Sequence, residues 1–414
     1  MPSTHLRFVA ALLVATAVFC LFAVARAAEQ PVLAVPACRS AVQAAVPLPD
    51  SMQREPGFSC KLVESDTPGT DIPAQVISAI KADGTAAKDR GILVAGIAAR
   101  KSVAKERRFQ LQVAKPAGTP NCRLEDIGGK AVKFLDGDTP VMVYNYGTVI
   151  GQNVPKRDSR RERACYIHPL WGLNGEVLTD DFPRDHFHHH GIFWSWPHVG
   201  VEGKNYDMWT SNAVTLKFVD WIYRQAGPAA AVLAVENGWF IGEKKVMIER
   251  VWMRMFRASG NTRAIDLDFT WIPVERPITL RGAGGKSYGG LTVRLAVKDA
   301  SKSIVTTPRG SSKEDLKQTP LPWADLTDKF GAGDGLSGAA VFVHPGHPDY
   351  PPTWLTRHYG PLCVGWPGVK AKTFEPGKPF SLAYRVLVHK TQMTPDQLKQ
   401  AYDEYTATSN LKWQ

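Results

Sequence analysis

The sequence predicts an all-β protein: a large antiparallel sandwich, preceded by a small β-sandwich and closed by one C-terminal helix. Three observations carry that expectation. The segments "AVTLKFVDWIYRQ", "AAAVLAVENGWF", "KKVMIERVWMRMF" and "TRAIDLDFTWIPV" are long and rich in β-branched and aromatic residues. They follow one another through turn residues such as Asn237-Gly238 and Ser259-Gly260, with no helical period between them. That excludes the strand–helix alternation of a parallel α/β sheet. The clear helical signal comes at the end, in "MTPDQLKQAYDEY". There Thr394 is placed to cap, Pro395 opens the first turn and Gln397 completes a capping box.

The elements follow in order. Residues 1–27 combine a basic start at Arg7, an apolar run from Phe8 to Ala25 and the small-residue pattern Ala25-Arg26-Ala27, which reads as a secretory signal peptide. An uncleaved anchor is the alternative, and no later stretch is apolar enough to span a bilayer. Residues 28–57 are rich in Ala, Pro and Val without periodicity and read as a lead-in or linker. Residues 58–117 alternate in short strands between turn clusters such as "TPGTDIP", which is the pattern of a small β-sandwich. "KPAGTPN" marks a boundary, and residues 118–414 form the large sandwich.

The export signal implies a periplasmic or secreted protein in a compartment that permits disulfides. Beyond it stand Cys38, Cys60, Cys122, Cys165 and Cys363, of which Cys38 and Cys60 share one early segment and are the expected pair. No CxxC is present to support a cysteine zinc site. The formal charge is +11, from 50 basic and 39 acidic residues, which favours acidic surfaces without naming one. The densest basic run, "KRDSRRER", lacks interleaved aromatics, so no nucleic-acid partner is expected.

Chemistry concentrates in "DDFPRDHFHHHGIFWSWPHV", residues 180–199. His186, His188, His189 and His190 fall within five positions, behind Asp180, Asp181 and Asp185. Histidine is the commonest metal ligand and a general acid or base near neutral pH. In an extended chain His186, His188 and His190 would share one face and could grip a divalent metal, zinc or calcium among them. The aspartates would supply oxygen ligands or orient an imidazole. The bland alternative is a loop of histidines bonded to backbone.

Two further stretches stand out. "HPGHPDYPPTWLTRHYGPLCVGWPG", residues 344–368, holds His344, His347, His358, Trp354 and Trp366 among prolines and suits a rigid aromatic rim for a sugar. "GGKSYGGLTVRL" sets Tyr288 and Arg294 around paired glycines, but it lacks the strand–helix context of a phosphate loop.

Several of these blocks, in order, resemble a family of bacterial secreted proteins of unknown function, DUF6807, often labelled "methane oxygenase PmoA". They are "YIHPLWGLNGEVLTDDFPRDHFHHHGIFWSW", "SYGGLTVR", "VFVHPGHPDYPPTWLTRHYGPLCVGWPG" and "AYRVLVH", within residues 118–395. The resemblance implies an antiparallel supersandwich similar to that of aldose epimerases (galactose-mutarotase-like) and a carbohydrate context. The family's Asp-His-x-His-His motif matches at Asp185, His186, His188 and His189. Its usual following arginine is replaced here by His190. The methane label fits poorly, because membrane methane monooxygenase subunits span the bilayer several times.

The expected function is that of a periplasmic carbohydrate-active enzyme cleaving or rearranging glycosides, 3-keto-glycosides among them, by histidine acid–base or metal-assisted chemistry. His188 is the expected base, with His186 and His189 as ligands or acid partners and Asp185 as the orienting carboxylate. Arg294, Tyr288, His358 and Trp354 are the expected substrate contacts. A non-catalytic secreted glycan-binding protein is the alternative, and a copper or iron oxygenase a third reading.

Overall fold

The computed structural model describes residues 31–67, 71–99, 105–115, 118–333 and 335–414. The expected signal peptide, residues 1–27, lies outside the described residues. The described chain is all-β, its sheets antiparallel, with one α-helix, Pro395–Thr408, at the C-terminal end. That helix carries the expected capping box: Thr394 accepts from the Gln397 amide and the Gln397 side chain accepts from the Thr394 amide.

The supersandwich is formed by two nine-stranded sheets. The first runs, in spatial order, through Thr319–Pro320, Thr353–Thr356, Pro361–Gly365, Gly290–Arg294, Ile192–Ser195, Tyr166–Leu170, Thr139–Asn145, Ala131–Asp136 and Cys122–Ile127. The second runs through Thr215–Gln225, Ala230–Ile241, Lys244–Phe256, Thr262–Pro273, Phe380–His389, Ser337–Val343, Trp323–Asp328, Ile304–Thr307 and Gly310–Ser312. Their inward residues share one apolar core. Trp194 of the first sheet meets Phe269 of the second edge to face at 4.7 Å, and Ile192, Leu233, Met253 and Val341 are fully buried around them.

Asn237-Gly238, expected as a turn, lies inside strand Ala230–Ile241. The reason is a polar knot in the core. Glu249 is fully buried and accepts hydrogen bonds from Asn237 Nδ2, Trp239 Nε1 and Trp271 Nε1 at 2.9, 2.8 and 2.9 Å. Tyr144 of the facing sheet donates to Asn237 Oδ1 at 3.1 Å. An asparagine needed for such a network belongs in a strand, whatever its turn propensity.

The N-terminal body is one seven-stranded sheet folded around its own core of residues such as Leu33, Val46, Leu62, Leu93 and Phe109. It starts earlier than expected. Val32–Val35 and Val42–Pro47 are strands of this sheet, so the stretch read as a lead-in, residues 28–57, contributes two of its members. Alternating burial is weak there because both faces are covered: Val42, Ala44 and Val46 face the small core, while Gln43 and Ala45 face the supersandwich. The sheet is completed from the far end of the chain, where Lys412–Trp413 pairs with Val32–Val35. Cys38 and Cys60 both lie in this body, and all five described cysteines are free and buried, so the expected disulfide is not formed.

Candidate functional site

The histidine cluster is not a strand. His186 N donates to Pro183 O at 3.0 Å and His189 N to His186 O at 2.9 Å, so residues 183–189 form two consecutive turns. The loop is tied at its base by Phe182 N to His189 O and by the Asp181–His190 bridge. Alternation of faces therefore does not apply, and the imidazoles separate into two groups.

His186, His188 and His189 form the first group. His186 lies parallel to His189 at 4.7 Å and to Tyr359 at 5.1 Å between ring centroids, while His188 stands edge-on to both histidines. His190 turns the other way, into the protein. Its Nδ1 is 2.8 Å from Asp181 Oδ1, and its ring packs on Tyr166 and Phe182. The Tyr166 hydroxyl donates to the other Asp181 oxygen at 2.7 Å. The expected ligand trio His186, His188 and His190 is thus not brought together. Among the described residues no group of three or more His, Cys, Asp or Glu side chains is arranged to hold a metal ion.

Burial and mutual repulsion sort these rings electrostatically. Burial, with the neighbouring His186 and Arg160, pushes His188 down to about 4. Burial takes His189 and His190 well below the ordinary imidazole value. All three are therefore neutral at pH 7. Burial raises the Asp181 carboxyl to about 6, against the opposing pull of His168 and the Tyr166 hydrogen bond. The Nδ1 atoms of His188 and His189 are buried and have no partner among the described residues.

His186 differs. It is half-buried, with part of its side chain reaching solvent, and its Nδ1 is 2.9 Å from Asp185 Oδ2. Both Asp185 oxygens accept from Arg294 Nη2 at 3.2 Å. Partial burial pushes Asp185 up, but the His186 hydrogen bond and the Arg294 charge outweigh it and hold the carboxyl below its ordinary value. An ionised Asp185 accepts the Nδ1 proton and fixes the tautomer, which leaves the Nε2 lone pair of His186 for a substrate proton. Asp185, expected as the orienting carboxylate beside His188, contacts the ring of His186 instead.

Arg294 ends strand Gly290–Arg294 and is 3 % exposed. Its guanidinium lies 4.9 Å from the Tyr359 ring centre, and its buried Nε and Nη1 have no partner among the described residues. Together with Asp180, Asp185, Lys298 and Tyr359 it lines an open cleft of about 560 Å³.

The remaining expected contacts diverge. Tyr288 packs on Trp209 at 4.7 Å, and Trp209 in turn meets His188 and His189, so Tyr288 reaches the cluster through one ring. His358 points away: its Nδ1 is 2.9 Å from Asp315 Oδ1 and its Nε2 is 3.1 Å from Ser312 O, which engages both nitrogens in a neighbouring loop. Trp354 is fully buried in the core and donates to Leu321 O at 2.7 Å. Trp366 is also in the core, so both tryptophans of the expected aromatic rim are interior, while Tyr350 of the same stretch is exposed. Alternation along Thr353–Thr356 turns Trp354 inward, which prolines on either side concealed. Tyr359, next to His358, is the residue of that stretch that stacks on His186 and lies under Arg294. Its signal was only its place in the "RHYGP" turn opposite Arg294.

The model of a family of unknown function, DUF6807, matches residues 131–403 and so covers the whole site. No curated protein matches the chain.

Proposed function

The chain belongs to DUF6807, a family of unknown function, and we propose that this member is an exported carbohydrate-active enzyme that cleaves glycosides bearing a keto group, with His186 as its base. The observation that carries the reading is the chain Arg294–Asp185–His186, which ends on a solvent-facing imidazole beside an open cleft. A keto group acidifies the adjacent C–H, and His186 Nε2 is suited to take that proton. Asp185 holds the ring and stabilises the imidazolium that forms. Asn153, Lys298 and the Tyr359 hydroxyl line the same cleft and can bond sugar hydroxyls. His188, the base first expected, is less suited, since its Nδ1 is buried and its value near 4 makes it a weak acceptor.

Metal assistance would call for a converging donor set, and the described residues offer none of three or more. The reading therefore rests on acid–base work. The binding-protein alternative loses its main support, because Trp354 and Trp366 are interior.

The test is turnover on a panel of glycosides and their 3-keto counterparts by wild type and His186→Gln. We expect cleavage of keto-glycosides, lowered roughly 10²–10⁴-fold in the variant at unchanged folding. Equal binding by both proteins with no turnover by either would sink the enzyme reading.

A further inference from the structure

A base carried on a loop is effective only if its ring is held still, and one hydrogen bond does not hold it. The Asp185 contact to Nδ1 leaves the His186 imidazole free to swivel about the bond axis. Asp185 is also the chain neighbour of His186, and His189, which lies parallel to it, belongs to the same pair of turns. Both move with the loop, so the ring must be referenced to the sheet by residues from outside it.

Two residues meet that need. Arg294 ends strand Gly290–Arg294, is buried, and reaches Asp185 through Nη2 at 3.2 Å. Tyr359 sits in the turn between strands Thr353–Thr356 and Pro361–Gly365. That turn is closed by Arg357 N donating to Pro361 O at 2.9 Å and Gly360 N to Arg357 O at 3.0 Å. Leu295 N donates to Gly360 O at 3.1 Å and fastens the turn to the chain directly after Arg294. Gly360 permits this approach: its φ is +130°, and a Cβ there would lie 2.2 Å from Leu295 O. Tyr359 is thereby set beside Arg294, whose guanidinium lies 4.9 Å from its ring centre. The Tyr359 ring lies within 7° of parallel to His186, at 5.1 Å between centroids. The contacts close a circuit from Arg294 through Asp185, His186 and Tyr359 back to Arg294. Asp185 holds the edge of the imidazole, and Tyr359 holds its face.

We infer that Tyr359 is a positioning residue for His186, and that its ring, rather than its hydroxyl, fixes the plane of the imidazole and the direction of Nε2. The inference rests on the reading of His186 as the base. Asp185 and Tyr359 both line the cleft, so the ring they hold is kept at its edge. Burial pushes the Tyr359 phenol above its ordinary value, against the pull of Arg294 and Arg357. The side chain therefore stays neutral at pH 7, and phenylalanine reproduces its face without the hydroxyl. Catalytic groups must be held within roughly 10–20° of the productive geometry, and misplacement costs up to about 10²-fold.

The experiment compares Tyr359→Leu with Tyr359→Phe in two ways. One is turnover of a methyl 3-keto-glucoside. The other is NMR of protein carrying isotope-labelled histidine, in which the His186 signals are those lost in His186→Gln. A parallel aromatic ring moves the imidazole proton signals upfield. For Tyr359→Leu we expect kcat to fall roughly 10–10²-fold with KM unchanged, and the His186 signals to move downfield. Tyr359→Phe should restore both, and any effect of its missing hydroxyl should appear in KM. Equal losses of kcat in the two variants would overturn the inference, because the hydroxyl would then be what acts. An unchanged kcat in Tyr359→Leu, or a change confined to KM, would overturn it as well. If wild type turns over nothing, the enzyme reading falls and the spectra alone decide whether Tyr359 holds the ring. Signals that move in Tyr359→Leu and return in Tyr359→Phe uphold that, and signals that stay in place overturn it. Should Tyr359→Leu not fold, the wild-type spectrum decides: Overhauser contacts between the two rings support the inference, and their absence overturns it.

Discussion

Single residues decide whether the loop of turns can sit where it does. Gly191 follows the last histidine, and a Cβ there would lie 2.0 Å from Ile167 O and 2.8 Å from the His168 Cβ. Ile192 pairs with Ile167, so the chain passes from the cluster into the sheet with no room for a side chain. Gly191→Ala should therefore destabilise the fold by roughly 1–3 kcal/mol or more, as overpacking of backbone against backbone does. A thermal melt unchanged within error would contradict this. The same scale shows what a reader of the sequence can see. Asp185 followed by His186 was legible as an orienting pair because the two are adjacent and of the right types. The partition of the four histidines was not, since it depends on His190 reaching back nine positions to Asp181. Trp354 misled for a related reason: a tryptophan among prolines has the composition of an exposed rim, and only pairing shows which way it turns.

At the scale of elements, strand type and order were legible because β-branched and aromatic runs recur without helical spacing. What stayed hidden were polar residues that act across strands. His389 and Asp325 are an example. Strand Ser337–Val343 lies between the strands that carry them, and Gly338 is the register partner of His389. A Cβ on Gly338 would lie 2.7 Å from the His389 ring, so the glycine lets the imidazole pass over the middle strand. His389 Nε2 then reaches Asp325 Oδ1 at 2.7 Å, and its Nδ1 reaches Thr391 O at 2.7 Å. Burial works against the charged ring, but Asp325 and the two hydrogen bonds prevail and raise its pKa. A folded-state value above the unfolded one gives stability that is whole below pH about 6.5 and is lost as pH rises through the raised folded value. His389→Gln leaves a fully buried carboxylate without its cation, and breaking a buried pair costs about 3–5 kcal/mol. Chemical denaturation should show that deficit in full at pH 6 and a smaller one at pH 9. A deficit that grows with pH would refute the pairing.

The whole molecule is held together by contacts between segments far apart in sequence, which is why its N-terminal boundary was the least legible feature. Gln75 Oε1 accepts from the Ala229 and Ala230 amides, Trp252 Nε1 donates to Gly84 O, and Arg385 Nη1 donates to Gln43 Oε1, all joining the N-terminal sheet to the supersandwich. Ile77 and Val94 pack on Val232, Trp252 and Leu398 in one shared apolar cluster. The C-terminal residues add a second tie. Val32 and Gln414 exchange both backbone hydrogen bonds, Trp413 Nε1 donates to Pro47 O, and Leu411 is buried in the small core. Removing residues 410–414 would bare the edge of Val32–Val35 and empty the place of Leu411, while the large core keeps all its members. Loss of one buried leucine alone costs about 2–5 kcal/mol. The truncated chain should therefore melt in two steps, with protease cutting first within residues 31–113 and the supersandwich melting second, somewhat below the wild-type temperature because it loses the Ile77 and Val94 contacts. Because the histidine loop belongs to the large body, its arrangement should survive between the first transition and the second. A single transition at the wild-type temperature would show that the C-terminal strand does not secure the N-terminal sheet.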